Sequence, residues 1–141
     1  MSTDAPQVPQ TLAGRCMCGA VHYTIAEKSL ADGLCHCDRC RPQSGSAFST
    51  VIFIHRSALT ITGETAVFDD VGSSGLRVLR RYCPRCGSPL TTEPDLTPEL
   101  FMVKAGTLDS IRCGSCSSAG ADLGSARSPA PNNLMAILRS R

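Results

Sequence analysis

The chain has 141 residues, 42% of them apolar but only six aromatic, which is enough for one domain and too few for two. No stretch approaches the roughly 20 apolar residues that span a bilayer, and residues 1–10 lack a basic segment followed by an apolar run, so the expectation is a soluble, cytoplasmic protein without a secretory leader. The net charge of +2 divides into ten Lys/Arg against eleven Asp/Glu over residues 1–110 and four Arg against one Asp over residues 111–141; such a body is a poor attractor of phosphate backbones, which argues against nucleic acid as a partner.

Taken in order, residues 1–11 contain two prolines and no apolar pattern, and are expected to form a disordered leader. Residues 20–25 alternate as a half-buried strand does. A cluster of cysteines over 35–40 precedes a Pro- and Gly-containing loop over 41–45. Residues 50–54 (Thr50, Val51, Ile52, Phe53, Ile54) are β-branched or aromatic and predict a buried strand. Two short runs, 58–62 and 65–68, flank Gly63-Glu64 and predict a hairpin with a two-residue turn. Residues 76–82 and 100–104 complete the set of strands, and no long stretch keeps a helical period. The expected fold is mainly β over residues 12–110, with cysteines at strand ends and turns. Beyond it, Ser, Ala, Gly and Pro supply 16 of the 31 residues of 111–141, which predicts a largely flexible tail in which only 133–138 could pack.

Nine cysteines are an odd number, and pairs such as Cys16 and Cys18 or Cys35 and Cys37 are too close for comfortable pairing with each other. Metal is the better account. Cys83-Pro84-Arg85-Cys86-Gly87 has the spacing to turn two sulfurs toward one ion: the proline fixes φ early, and the glycine permits a left-handed conformation afterwards. Such a knuckle is half of a four-thiolate site, and Cys16-Met17-Cys18-Gly19 is its natural complement. With four ligands this site is closed and structural. Cys35-His36-Cys37-Asp38-Arg39-Cys40 brings three further thiolates within six residues and has no equally well-spaced fourth. Three ligands leave a coordination position open, as catalytic zinc sites do. Three alternatives stay open: His36 ligates, or Cys113 or Cys116 closes the site from the tail, or the thiolates hold an iron–sulfur cluster. The expectation is two Zn²⁺ per chain, with Cys16, Cys18, Cys83 and Cys86 on one and Cys35, Cys37 and Cys40 on the other. Cys113-Gly114-Ser115-Cys116 is read as incidental, because no βαβ pattern surrounds it.

Five segments in this order carry a resemblance: Gly14-Arg15-Cys16-Met17-Cys18-Gly19-Ala20-Val21; Cys35-His36-Cys37-Asp38-Arg39-Cys40-Arg41; Ser44-Gly45-Ser46-Ala47-Phe48; Arg81-Tyr82-Cys83-Pro84-Arg85-Cys86-Gly87-Ser88-Pro89-Leu90; and Lys104-Ala105-Gly106-Thr107-Leu108-Asp109. Together they resemble the glutathione-dependent formaldehyde-activating enzyme family, which also includes centromere protein V. The resemblance covers residues 12–110. It implies an Mss4-like β-sheet fold, the same division into a structural and a catalytic zinc, and a carbon–sulfur lyase-type reaction joining glutathione to formaldehyde. Its small-molecule partners would be a thiol such as glutathione and a small aldehyde. After Asp109 the chain departs from the family's pattern: it has no tryptophan, and a divergent or frame-altered end is expected near residue 111.

Two other readings compete. One is a non-catalytic zinc-binding interaction module, the other an inactive paralogue. The basic cluster Arg77, Arg80, Arg81 and Arg85 would serve the first, but on a strand Arg77 and Arg81 share one face and Arg80 takes the other, a scatter expected of a solvated surface. His22 is read as a surface or packing residue, and His55, at the end of an apolar strand, has no obvious partner. Asp38 and Arg39, between ligands, are read as either supporting the site or facing solvent.

Overall fold

The computed structural model describes residues 11–110. Its strands are β1 (Leu12–Arg15), β2 (His22–Ile25), β3 (Ala31–Cys35), β4 (Ser49–His55), β5 (Leu59–Thr62), β6 (Ala66–Val71), β7 (Arg77–Tyr82), β8 (Pro89–Pro94) and β9 (Leu100–Lys104), with one short α-helix, α1 (Cys40–Ser44), between β3 and β4 and single 3-10 turns at Arg56–Ala58 and Ala105–Thr107. They form two antiparallel sheets, β1-β2-β5 and β3-β4-β9-β8-β7-β6. The mainly β expectation is met.

The apolar residues explain how the sheets meet. Tyr23 and Ile25 of β2, with Val21 just before it, pack with Ile52, Ile54, Phe101 and Val103 of β4 and β9 in one buried cluster that also takes in Leu90. Burying a side chain of this size contributes about 1.5–3 kcal/mol, so this layer is the main apolar support of the fold. In β4 the pattern of 50–54 is explained by position: the strand lies between β3 and β9, and Val51, Ile52 and Ile54 are all buried although they point to opposite faces.

The second face of the six-stranded sheet is different. Paired residues share a face, and the register places Cys35, Ser49, Val51, Lys104, Thr92, Arg80, Val78 and Asp70 together on it. Five of these, Ser49, Asp70, Arg80, Thr92 and Lys104, are polar or charged and buried. A polar layer of that kind under one face of a small sheet is costly unless its groups are paired.

Three local expectations need correction. Residues 58–62 and 65–68 do not form a hairpin: β5 joins the small sheet and β6 the edge of the large one. Gly63, at φ +107°, is needed instead because a Cβ there would fall 2.3 Å from the Ala20 carbonyl oxygen. The loop expected at 41–45 holds α1, with Pro42 in its first turn, where no amide hydrogen bond is lost, and Gly45 closing it at φ +65°. β1, β3 and β8 lacked a sequence signal. β8 reads Pro-Leu-Thr-Thr-Glu-Pro, and its polar centre is buried through pairing with β7 and β9 rather than through apolarity. The leader over 1–10 and the tail over 111–141 lie outside the described residues.

Candidate metal centres

The first centre is built from two similar turns. One follows β1, where Cys16 N–H donates to the Val21 carbonyl (2.9 Å) and Gly19 N–H to Cys16 (3.2 Å). The other follows β7, where Cys83 N–H donates to the Ser88 carbonyl (3.0 Å) and Gly87 N–H to Cys83 (2.8 Å). Both closing glycines are left-handed, Gly19 at φ +77° and Gly87 at φ +75°. Donors aim at the sulfurs: Val21 N–H lies 3.3 Å from Cys16 Sγ, and the Ser88 hydroxyl 3.2 Å from Cys86 Sγ. The Ser88 hydroxyl and backbone bring the Cys86 thiol down to about 5. Ser88 also accepts the Met17 N–H at 2.9 Å, joining the two turns.

The sulfurs of Cys16, Cys18, Cys83 and Cys86 all lie within 4.8 Å of one another. Cys16 and Cys18 are 3.5 Å apart, Cys18 and Cys83 3.8 Å. A disulfide needs about 2.05 Å. Four sulfurs around zinc at about 2.3 Å stand about 3.8 Å apart along each edge of the tetrahedron. The donor set and its spacing therefore fit a tetrahedral thiolate-bound metal. Cys16 and Cys83 belong to the apolar cluster, so such an ion would sit against the core.

The second group, Cys35, Cys37 and Cys40, also lies within 4.8 Å, and all three residues are half-buried. Cys35 ends β3, Cys40 begins α1, and the turn between them is held by Cys40 N–H on Cys37 Sγ (3.2 Å) and Arg41 N–H on the Cys37 carbonyl (3.1 Å). Burial opposes ionisation of Cys37, but the Cys40 and Arg39 N–H groups and the neighbouring thiols outweigh it and bring it to about 7. Burial and the Cys37 and Cys35 thiols push Cys40 up to about 11. Among the described residues no fourth Cys, His, Asp or Glu joins this group. His36 is not part of it; its ring packs beside Phe48 with centroids 5.5 Å apart. Cys113 and Cys116 lie outside the described residues.

Around this group stand residues the sequence reading passed over. Arg80, expected on a solvated surface, is buried: its Nε donates to Asp70 Oδ2 (2.7 Å) and its Nη1 lies 3.9 Å from Cys40 Sγ. Arg77 and Arg81 do face the other way, paired with Asp69 and Glu93. Arg39 pairs with Asp70, and Asp38 with Arg41. Lys104 is buried and donates to Ser49 Oγ at 2.9 Å; Ser49 is the cross-strand partner of Cys35. Burial lowers the pKa of Lys104, while the charges of the three cysteines act in the opposite direction. Only alternation within 76–82 hints at Arg80; Lys104 appears in the sequence only within the segment 104–109 that carries the resemblance, and nothing there points to Asp70. His55, read as partnerless, holds Glu27 at 2.9 Å.

A cavity of about 500 Å³ opens at the four-cysteine group, lined among others by Arg15, Met17, Ser88 and Leu108. It does not reach the three-cysteine group. An open coordination position, rather than cavity size, is the better guide to chemistry here, because four sulfurs leave an ion no room for substrate.

The fold is thus a mainly β domain with two cysteine groups, one of four sulfurs and one of three, each of which could hold a metal ion. The family described as glutathione-dependent formaldehyde-activating enzyme matches residues 11–122. The chain belongs to this family. The match runs twelve residues past the boundary expected at 110 and takes in Cys113 and Cys116. A crystal structure of a Rhodobacter sphaeroides protein is similar with a TM-score of 0.59 at 18% identity, over 76% of this chain and 96% of that one, a likeness that speaks to the fold alone. No curated protein matches the sequence. No helix among the described residues is long and apolar enough to cross a membrane.

Proposed function

We propose that the protein is a zinc-dependent enzyme of the carbon–sulfur lyase type that adds the thiol of glutathione to formaldehyde, giving S-(hydroxymethyl)glutathione. Cys16, Cys18, Cys83 and Cys86 would hold a structural zinc, and Cys35, Cys37 and Cys40 a second zinc with one position free. The observation that carries the reading is the three-sulfur group with no fourth ligand among the described residues, backed by buried cations.

A zinc ion held there supplies stabilisation of a thiolate anion near neutral pH. The chain's own residues set the charge. Three thiolates leave a divalent ion at about −1, Arg80 and Lys104 reverse that to about +1, and Arg39 and Asp70 offset each other. An anionic thiolate therefore completes the site better than neutral water. Ser49 fixes the direction of the Lys104 ammonium. In the reaction the sulfur–carbon bond forms, the carbonyl π bond breaks, and the proton given up by the thiol ends on the new hydroxyl oxygen. No electrons are exchanged with an outside carrier.

The test is the rate of S-(hydroxymethyl)glutathione formation with two-zinc protein against the uncatalysed rate. Acceleration that is lost in Cys37→Ser supports the reading. A rate equal to the uncatalysed one, with both metals bound, leaves the non-catalytic module or inactive paralogue as the better account.

A further inference from the structure

Asp70 holds two arginines that belong to different parts of the chain. It lies on β6, the edge strand of the large sheet, and is only 6% exposed. One oxygen, Oδ2, accepts from Arg80 Nε at 2.7 Å. The other, Oδ1, accepts from Arg39 Nη2 and from the Val71 amide at 2.8 Å. Arg39 also donates through Nε to the Val71 carbonyl at 3.2 Å. Arg39 sits in the turn between Cys37 and Cys40, and Arg80 reaches Cys40 Sγ from below. One carboxylate thus fixes the turn that carries two sulfurs and the cation that touches one of them.

We infer that Asp70 is a positioning residue for the three-cysteine centre, setting how firmly that centre holds its metal. The inference rests on the proposal that Cys35, Cys37 and Cys40 bind an ion. The chemistry is that of an outer hydrogen-bonding partner: it fixes the orientation of a ligating turn and the donor that tempers thiolate charge, and removal of such a partner characteristically costs about 10–100-fold in affinity. A buried ion pair placed there only for stability would have no preference between the two metal centres. Asp69 supplies an internal comparison. It precedes Asp70 in the chain, accepts three hydrogen bonds from Arg77 at 2.8–3.0 Å, points to the opposite face, and is exposed.

The test uses the full chain loaded with cobalt(II), whose sulfur-to-metal charge-transfer absorption reports each thiolate site, and follows metal loss to a chelator. Wild type should lose two ions in two phases, and Cys40→Ser should remove one phase, which assigns it. Asp70→Asn should speed that phase about 10–100-fold and alter its absorption, while the other phase and the Asp69→Asn variant stay as in wild type. Should Asp70→Asn not fold, Arg39→Gln, whose side chain is half exposed, should speed the same phase at least about threefold, in the direction expected of a lost outer partner. Unchanged release in these variants, equal acceleration of both phases, or the same effect from Asp69→Asn overturns the inference while leaving two bound ions. A wild-type protein that binds only one ion overturns the underlying metal reading, and this inference with it.

Discussion

The sulfurs of Cys18 and Cys83, 65 residues apart in the chain, lie 3.8 Å from each other. Two turns that share no strand pairing converge there, against the apolar cluster. A metal bridging them closes most of the domain into one loop, and structural zinc contributes folding free energy of about 10–16 kcal/mol in small zinc-finger peptides. Domain stabilities are of similar size, about 5–15 kcal/mol. Cys83→Ser is therefore expected to leave the chain unfolded or lower Tm by more than about 15 °C, whereas Cys37→Ser should shift Tm by less than about 5 °C, lose one of two metals, and lose turnover. Thermal melts and metal analysis of both variants check this. Equal loss of fold would make both centres structural.

Gly14 faces the ring of Tyr23, and a Cβ added to it would stand 2.2 Å from the Tyr23 hydroxyl oxygen and 2.5 Å from the Thr107 carbonyl oxygen. The carbonyl belongs to the backbone and cannot swing aside. Gly14→Ala is expected to destabilise by about 1–3 kcal/mol. Tyr23→Phe should not rescue it, since the ring carbon Cζ would still lie 2.3 Å away. Denaturant midpoints of the two single variants and the double variant measure this.

Tyr23 also gives a dependence on pH. Burial raises its pKa to about 12, partly offset by its hydrogen bond to Thr107 Oγ1 at 2.7 Å. An exposed tyrosine ionises near 10. Between these values the unfolded chain loses the proton and the folded one keeps it, so this group's contribution is intact below pH about 10 and declines as pH rises toward 12. Tyr23→Phe should be less stable than wild type by about 1 kcal/mol at pH 8, with the gap narrowing as pH climbs. Urea unfolding of both proteins from about pH 8 to 11 reads the difference directly; a constant gap would show that the tyrosine does not carry the dependence.

Lys104 supplies one of the two buried cations beside the three-cysteine centre. Replacing it with methionine keeps the stem and removes the charge. The expected effect is a rise of about tenfold in KM for the thiol, equivalent to about 1.4 kcal/mol of lost attraction, with a smaller change in kcat. Steady-state kinetics with glutathione varied will distinguish this from a general loss, in which kcat falls and KM stays.

Much of the site was legible in the sequence because cysteine spacing is a strong signal. Cys83 and Cys86 pair with Cys16 and Cys18 in space as their matching turns suggested, and Cys35, Cys37 and Cys40 gather by themselves. The strand at 50–54 was legible for a similar reason: β-branched and aromatic residues fill a strand buried on both faces. What escaped was polar. Thr91, Thr92 and Glu93 of β8, Arg80 of β7 and Lys104 of β9 look solvated by residue type, and only strand pairing buries them. Gly63-Glu64 was misread because a glycine needed for close approach to Ala20 looks the same in sequence as one needed for a hairpin.

The central claim is that the three-cysteine centre keeps a coordination position that a thiol fills. The most direct measurement is titration of the two-cobalt protein with glutathione while the sulfur-to-cobalt charge-transfer absorption is followed. The account predicts that one thiol per chain adds a fourth sulfur to one ion, raising that absorption by about one ligand's share, and that the rise disappears in Cys37→Ser. An absorption unchanged at saturating glutathione, with two cobalt ions bound, would contradict it.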